Sequence, residues 1–262
     1  MHALGKGNYT GKVSEQIFVE DCILTNTFYT EEHNPDWHYH QNLHISFVYE
    51  GGKASTKKRT TYVEKGGSTF FYHSGEVHKW VSPKPLSKSL NLEVGNKFMQ
   101  RFRLSEDGIK TALESSPNTN SLLLRIQNES LNPDKNESSV LSLVLELLTD
   151  FESLRFRNTP QWVIETKALL NDRWHESLSL ISVATEVDVH PVTLSKNFRK
   201  YFHYSFSEYR NKIRIERSLD LVKNSEESLC EIANLCNFSD QSHFIRVFKK
   251  YTGLLPKDFR TY

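Results

Sequence analysis

A chain of 262 residues, 25% charged and 37% hydrophobic, is long enough for one large or two ordinary domains and too apolar to be disordered. Its net charge of +1 excludes a non-specific architectural DNA protein, which depends on a large basic excess. The N-terminus lacks the basic-then-apolar pattern of a signal peptide, and no apolar run approaches the roughly 20 residues of a membrane span, so a cytoplasmic protein without a membrane partner is expected. The three cysteines, Cys22, Cys230 and Cys236, are odd in number and form no CxxC pair. That excludes a disulfide framework or zinc finger and predicts reduced core thiols.

In chain order, the first hundred residues read as strands: Ile17 to Val19, Cys22 to Leu24, Phe28-Tyr29, Ile45 to Tyr49, Thr60 to Val63, Thr69 to Tyr72, Trp80-Val81 and Leu90 to Val94. They are short, β-branched and aromatic, and separated by turn signals such as Asn34-Pro35-Asp36, Gly51-Gly52 and Gly66-Gly67. This spacing predicts a small antiparallel barrel or jelly roll. His38-Tyr39-His40 with His44, and Gly67 followed by His73, Gly75 and His78, resemble the two cupin motifs. His73 stands in place of the motif's Pro and His44 in place of its acidic ligand. His38, His40 and His44 share parity, so a continuous strand aims all three at one face; with His78 they make a four-imidazole set suited to Zn, Cu, Fe or Ni. The departures from the motif favour the other reading, in which these four histidines line an effector pocket with no metal and no cofactor.

Phe98, Phe102 and Ile109 open a helical stretch, and Asn132-Pro133-Asp134 precedes a helix expected from about Ser138 to Arg155. Val140, Val144, Leu147, Phe151 and Leu154 form a heptad-like seam, and Leu141, Leu145 and Leu148 a second stripe. One stripe can cover the barrel and the other a second subunit, making a homodimer through 138–155; a single wide core-facing surface is the alternative. Arg157 to Pro160 reads as the linker, so the domains are expected at 1–157 and 158–262. Thr159 is the expected N-cap and Pro160 the first residue of a helix running through Trp162, Lys167 and Trp174. Basic and acidic residues number 18 against 19 up to Pro160 and 15 against 13 after it, an asymmetry too small to reveal a partner.

From Ser179 onward one local plan occurs twice. Val183-Ala184 and Leu194…Phe198-Arg199-Lys200 flank the turn Asp188-Val189-His190; Ile232-Ala233 and Phe244…Phe248-Lys249-Lys250 flank Asn237-Phe238-Ser239-Asp240, a turn one residue longer. A small Ala lets two helices cross closely, as a helix-turn-helix requires. Leu194/Phe198 and Phe244/Phe248 fall on the buried side of the second helix in each copy. Val192, Ser195, Lys196 and Arg199, and Ser242, His243, Arg246 and Lys249, are left on the opposite side.

These residues, with Phe206-Ser207-Glu208-Tyr209, Arg214-Ile215-Glu216-Arg217 and Pro256…Phe259-Arg260, resemble the AraC/XylS family of bacterial transcription regulators over the last hundred residues. His203 and Asn237 stand where that family usually has Gly, and Ser218 where it usually has Ala. The resemblance implies a cupin-like N-terminal sensor domain, mainly β with added helices, and an all-α C-terminal domain with two helix-turn-helix motifs. It also implies a sequence-specific regulator of transcription, an activator rather than an enzyme, with double-stranded DNA, RNA polymerase and a small-molecule effector or protein signal as partners. Val192, Ser195, Lys196, Ser242, His243 and Arg246 become candidates for base contacts; Asn197, Arg199, Lys249, Lys250 and Lys257 become candidates for phosphate contacts. A long helix from about Phe206 to Val222 would let one chain enter two major-groove segments about 34 Å apart. The competing class is a cupin metalloenzyme with a C-terminal DNA-docking module, which leaves the paired cationic helices without a purpose.

Overall fold

The computed structural model describes residues 2–29, 36–57, 60–81, 87–132, 134, 136–149 and 159–261. They form two compact units, 1–114 with 122–149, and 115–121 with 150–261. This differs from a cut after residue 157 in placing 115–121 with the second unit. The physical reason is Glu216, whose buried carboxylate accepts from Asn120 N at 2.9 Å, Ser121 N at 3.1 Å and Ser121 Oγ at 3.0 Å. The expected linker at 157–158 lies outside the described residues, as do Phe151 and Leu154 of the expected seam.

Among the described residues the first unit holds ten strands in two five-stranded sheets. One runs β1 (His2–Leu4), β4 (His38–His40), β9 (His78–Val81), β6 (Gly52–Lys57), β7 (Thr60–Lys65); the other runs β2 (Lys12–Val19), β3 (Cys22–Tyr29), β10 (Ser87–Val94), β5 (Leu43–Glu50), β8 (Ser68–Tyr72). Neighbours are antiparallel except β1 and β4. The expected barrel is thus a two-sheet jelly roll. Phe28-Tyr29 is not a separate strand but the end of β3, because Thr25, Asn26 and Thr27 are buried ladder residues rather than a turn. Strands β1 and β6 carry no sequence signal, β1 because it is only three residues long and β6 because it is polar and begins at a glycine.

The second sheet is polar on one face and apolar on the other. On β10, Leu90, Leu92 and Val94 are buried and lie opposite Phe47, Ile45 and Leu43 of β5; the alternate residues Ser89, Asn91 and Glu93, also buried, lie opposite Val48, Ser46 and His44. Successive side chains point to opposite faces, so the apolar and polar sets are segregated. The apolar face is the one beneath helix α3 (Thr119–Leu131), where Gln127 Nε2 donates to Asn26 Oδ1 at 3.2 Å across from Leu90. The polar face meets the first sheet: Ser55 of β6 and Tyr72 of β8 share a 2.9 Å hydrogen bond. Asn91 Nδ2 donates to Thr27 Oγ1 at 3.0 Å there, which offsets the cost of burying amide and hydroxyl groups between sheets.

Helices α1 (Asn96–Phe102) and α2 (Glu106–Ser115) follow β10. Helix α4 (Glu137–Leu148), N-capped by Asn136, packs against β2 and buries Val140, Val144, Leu147 and Leu148, while Leu141 and Leu145 are half-buried. It begins one residue before the expected Ser138, because the capping side chain satisfies Ser138 N at 2.9 Å. Helix α3 was missed, since Ser121, Gln127 and Ser130 sit among its buried residues and blur its apolar period.

The second unit is all helical. Helix α5 (Gln161–Asp172) is followed by α6 (Leu180–Glu186), α7 (Pro191–Phe202), α8 (Phe206–Asn224), α9 (Leu229–Leu235), α10 (Gln241–Thr252) and α11 (Pro256–Thr261). Pro160 is the N-cap of α5 rather than its first residue, and the helix stops before Trp174. Ser179/Ser182, Ser205/Glu208 and Ser228/Glu231 form capping boxes that start α6, α8 and α9. Ala184 and Ala233 are fully buried where α6 meets α7 and α9 meets α10. The connections are 187–190 and 236–240, so the second is one residue longer, as its sequence indicates. Cys236 is buried, which pushes its thiol up to about 12. Cys230, expected in the core, is exposed because it falls on the outer side of the short α9.

Three non-glycine residues of this unit have left-handed backbones: Asp188 (φ 50°), His203 (φ 60°) and Asn237 (φ 56°). Asp188 and Asn237 occupy corresponding turns, and His203 ends α7 where Gly253 (φ 81°) ends α10. Substituting Asn237→Gly removes a left-handed Cβ, a relief of about 1 kcal/mol, but deletes the 2.8 Å hydrogen bond from Asn237 Nδ2 to His175 O, so its net gain in stability is expected to stay below about 1 kcal/mol. Denaturant unfolding of the variant checks this; a gain clearly above that figure contradicts it.

Candidate functional site

Two helices, α7 and α10, present matched surfaces. Each begins on a side-chain cap: His190 Nδ1 accepts from Val192 N at 3.3 Å, and Asp240 Oδ1 accepts from His243 N at 2.7 Å. Each buries one side through Leu194, Phe198 and Phe202 in α7, and Phe244, Phe248 and Tyr251 in α10. Val192 is 51% exposed, and Ser195, Lys196, Arg199, Lys200, Ser242, Arg246, Lys249, Lys250 and Lys257 are all exposed. The cations cluster toward the helix C-termini, where they favour the dipole. Lys200 lies over Tyr201 and Lys250 over Tyr251, at 5.1 Å and 5.5 Å, so the two copies repeat even this detail.

Some candidate side chains have local partners. Asn197 Nδ2 donates to Thr193 O at 2.9 Å within its own helix. His243 Nδ1 meets Ser239 Oγ at 3.0 Å, and the ring is half-buried. Arg199 lies 3.6 Å from Glu208. The Glu208 carboxyl is held below its usual range, first by the Ser205 side chain and backbone, then by Arg199 and Lys250. Glu208 at the start of α8 therefore faces the last turns of both presenting helices. A surface groove of about 610 Å³ runs along α10, lined by Ser242, Ile245, Arg246, Lys249, Lys250 and Leu255.

What aligns the two copies is a set of contacts the sequence reading did not single out. Arg210 donates to Leu178 O at 2.6 Å and Glu176 O at 2.7 Å, and Arg214 donates to Glu176 O at 3.1 Å and Trp174 O at 3.3 Å. Burial, then the neighbouring Arg210, lowers Arg214 to about 10. Asn237 of the second copy reaches the same segment at His175 O. Arg260 donates to Val222 O at 3.0 Å and Glu227 O at 2.7 Å. These guanidinium groups fill carbonyls that no helix satisfies. A signal existed in the arginines spaced four apart on α8, but charge on a helix reads as a solvated face until its neighbours are known.

In the first unit, His38, His40, His44 and His78 come together between the sheets, each 1–3% exposed. They do not share one continuous strand. The chain turns at Gln41-Asn42, so His38 and His40 belong to β4 in one sheet and His44 to β5 in the other. Gly75, at φ 72°, donates its N–H to His40 O at 2.9 Å and turns the chain so that His78 pairs with His38. The nitrogens of His38, His40 and His78 lie within 4.8 Å of one another; His44 is outside this set. Its ring instead stacks on Tyr72, 4.4 Å away and 7° from parallel. His73 is outside too, bound through Nδ1 to Glu106 at 2.8 Å.

A family model described as a helix-turn-helix domain matches residues 183–262. The chain is 34% identical over 96 residues to the HTH-type transcriptional regulator GbdR of Pseudomonas aeruginosa, covering 37% of this chain and 26% of that one. It is 33% identical over 103 residues to the Msm operon regulatory protein of Streptococcus mutans, covering 39% and 37%. Among solved structures, the C-terminal domain of AraT, a response regulator from Geobacillus stearothermophilus, is 30% identical over 40% of this chain and 88% of that one, with a TM-score of 0.37. The matched region thus spans 26% and 37% of the two curated relatives' lengths. Residues 183–262 thus carry a helix-turn-helix domain, and over that region the chain is similar to bacterial transcriptional regulators.

Proposed function

We propose that this chain is a sequence-specific DNA-binding regulator of transcription, acting as an activator in the cytoplasm and controlled by a small effector or protein signal at its N-terminal unit. The observation that carries this reading is the duplicated surface: two capped, cationic helices, each rooted by two buried apolar residues one turn apart and tied into one unit by α8. The names of the relatives, a transcriptional regulator and an operon regulatory protein, support it. No described helix is long and apolar enough to cross a membrane.

In this reading Val192, Ser195, Lys196, Ser242, His243 and Arg246 face base edges. Val192 offers a methyl surface to thymine, and Arg246 offers a planar fork to guanine. Arg199, Lys249, Lys250 and Lys257 hold phosphates, which fix register without carrying sequence information. Asn197 and His243 contribute only if they exchange their present partners. RNA polymerase is the partner through which an activator works, and the half-buried Leu141 and Leu145 of α4 are the surface for a second copy of the chain. His38, His40, His44 and His78 line the effector pocket.

The full chain should bind duplexes recovered in its own genomic binding profile with micromolar or tighter affinity and a steep loss on adding salt. Equal affinity for recovered and scrambled duplexes defeats the regulator reading. Within it, Arg246→Ala and Lys249→Ala should fail differently. Loss of a bidentate base contact costs about 1–3 kcal/mol and relaxes preference at one position; loss of a phosphate contact weakens all sequences alike and shallows the salt slope by about one unit. Titrating both variants against single-base changes at several salt concentrations separates the roles, and the reverse assignment would mean that α10 is docked wrongly.

A further inference from the structure

We propose that the cleft where helix α3 overlies the second sheet is a binding site for a small organic cation that carries N–H donors, an alkylammonium or a guanidinium. The cleft holds about 270 Å³ and is lined by Ser14, Glu15, Asn26, Tyr49, Lys88 and Gln127, and by Leu131, the last residue of α3. All of them belong to the first unit. Strand register brings them together. Glu15 of β2 lies opposite Asn26 of β3, which lies opposite Leu90 of β10, and Lys88, two residues before Leu90, shares its face. The lumen between the sheets, with its histidines, is on the other face of these strands. Register slips on both sides of the row, between Val13 and Glu15 on β2 and between Lys88 and Ser89 against β5, which leaves Ser14 and Tyr49 as the extra residues. A β-bulge re-aims the side chains around it, and here both bulged residues line one cleft.

The next row on this face is apolar, made of Ile17, Leu24, Leu92 and Ile45, so the polar residues Glu15 and Asn26 need partners of their own. Asn26, 6% exposed, has one, because its Oδ1 accepts from Gln127 Nε2 at 3.2 Å. That bond leaves Gln127 half satisfied. Its side chain is 2% exposed, and its buried Oε1 accepts nothing among the described residues. Buried polar atoms of folded chains nearly always have a partner, and a guest that donates to this oxygen removes the deficit.

The charges on this face decide the sign of the guest. Lys12 lies over the Phe28 ring at 5.3 Å, and Lys88 Nζ lies 2.6 Å from Glu50 Oε2, so both cations are engaged. Glu15 is half-buried and has no ion pair or hydrogen bond among the described residues. The two groups left over, a carboxylate and an amide oxygen, can only accept. A guest that satisfies both must donate at least twice, and positive charge strengthens its bond to Glu15. An alkylammonium carries three donors on one nitrogen and a guanidinium five in a planar fork, and Leu131 offers an apolar wall to a short aliphatic stem. A quaternary ammonium has the charge but no N–H, and cannot satisfy Gln127 Oε1.

The test titrates the full chain with n-butylammonium and with guanidinium, followed by calorimetry and by the side-chain amide resonances of isotopically labelled protein. Saturable one-to-one binding is expected, with the Gln127 amide shifting along the same isotherm. The Asn91 amide, bonded to Thr27 on the lumen face of the same sheet, should not move. Glu15→Gln should weaken binding about 10-fold or more, and tetramethylammonium and acetate should bind the unaltered chain weaker by at least about 10-fold. Lys88→Gln should strengthen binding, because it removes a like charge and frees Glu50. Gln127→Met should weaken it; should that variant misfold, the Gln127 resonance of the wild-type chain decides in its place. No saturation, equal binding of tetramethylammonium, weakening in Lys88→Gln but not in Glu15→Gln, or a shift at Asn91 without one at Gln127 overturns the assignment. No DNA enters the measurement, so its failure is separate from failure of the regulator reading.

Discussion

The C-terminal unit depends on two arginines turned onto backbone carbonyls. Arg210 and Arg214, one turn apart on α8, direct their guanidinium groups at the carbonyls of Trp174, Glu176 and Leu178. That short segment carries the chain from α5 into the first helix-turn-helix, and its carbonyls lack helical partners. A lysine could fill one of these acceptors but not the fork, because its ammonium is a single point on a flexible stem. Since Asn237 of the second helix-turn-helix reaches His175 O, one segment of backbone is gripped from the linking helix and from the second copy at once. Two presenting helices act as a pair only if their separation is fixed, and here side-chain to backbone bonds fix it.

The same economy explains why bulk charge says so little about this chain. The excess of basic residues after Pro160 is two, yet several of those residues never face a partner. Arg210, Arg214 and Arg260 are turned onto carbonyls, and Arg173 is paired with Glu176 and Glu186. Of the others, Lys196, Arg199 and Lys200 lie on α7, Arg246, Lys249 and Lys250 on α10, and Lys257 on α11. An acid can also sit within the charged region without harm when it is structural. Glu208 closes the capping box of α8, and its carboxylate lies 3.6 Å from Arg199 in the last turn of α7.

The tandem motif was legible because its signals are local and redundant. Ala184 and Ala233, the Leu194/Phe198 and Phe244/Phe248 pairs, and the one-residue difference between turns each constrain the same geometry, and all were found buried or placed accordingly. The left-handed positions His203 and Asn237 were readable for a similar reason, since few non-glycine residues tolerate that backbone. Asp188, also left-handed at φ 50°, belongs to the same residue type that tolerates this backbone. The β unit was less legible. Its strand β10 alternates Leu90, Leu92 and Val94 with Ser89, Asn91 and Glu93, but both sets are buried, so alternation reports two buried faces of different polarity instead of one wet and one dry. Helix α3 hides behind its buried polar residues: Ser121 and Gln127 make tertiary hydrogen bonds, and Ser130 bonds back to Gln127 O within the helix.

The histidine cluster shows where sequence parity reaches its limit. Counting residues placed His38, His40 and His44 on one face, which requires an unbroken strand. The turn at Gln41-Asn42 moves His44 to the opposite sheet, and the two sheets then face each other so that its ring returns to within 4.2 Å of His40. The grouping was therefore right in content and wrong in cause. The cause matters, because it decides which rings can act together. His38, His40 and His78 belong to one sheet, held by β4–β9 pairing and by Nδ1–H bonds to Asp36 and Glu76, whereas His44 belongs to the other, where its ring stacks on Tyr72.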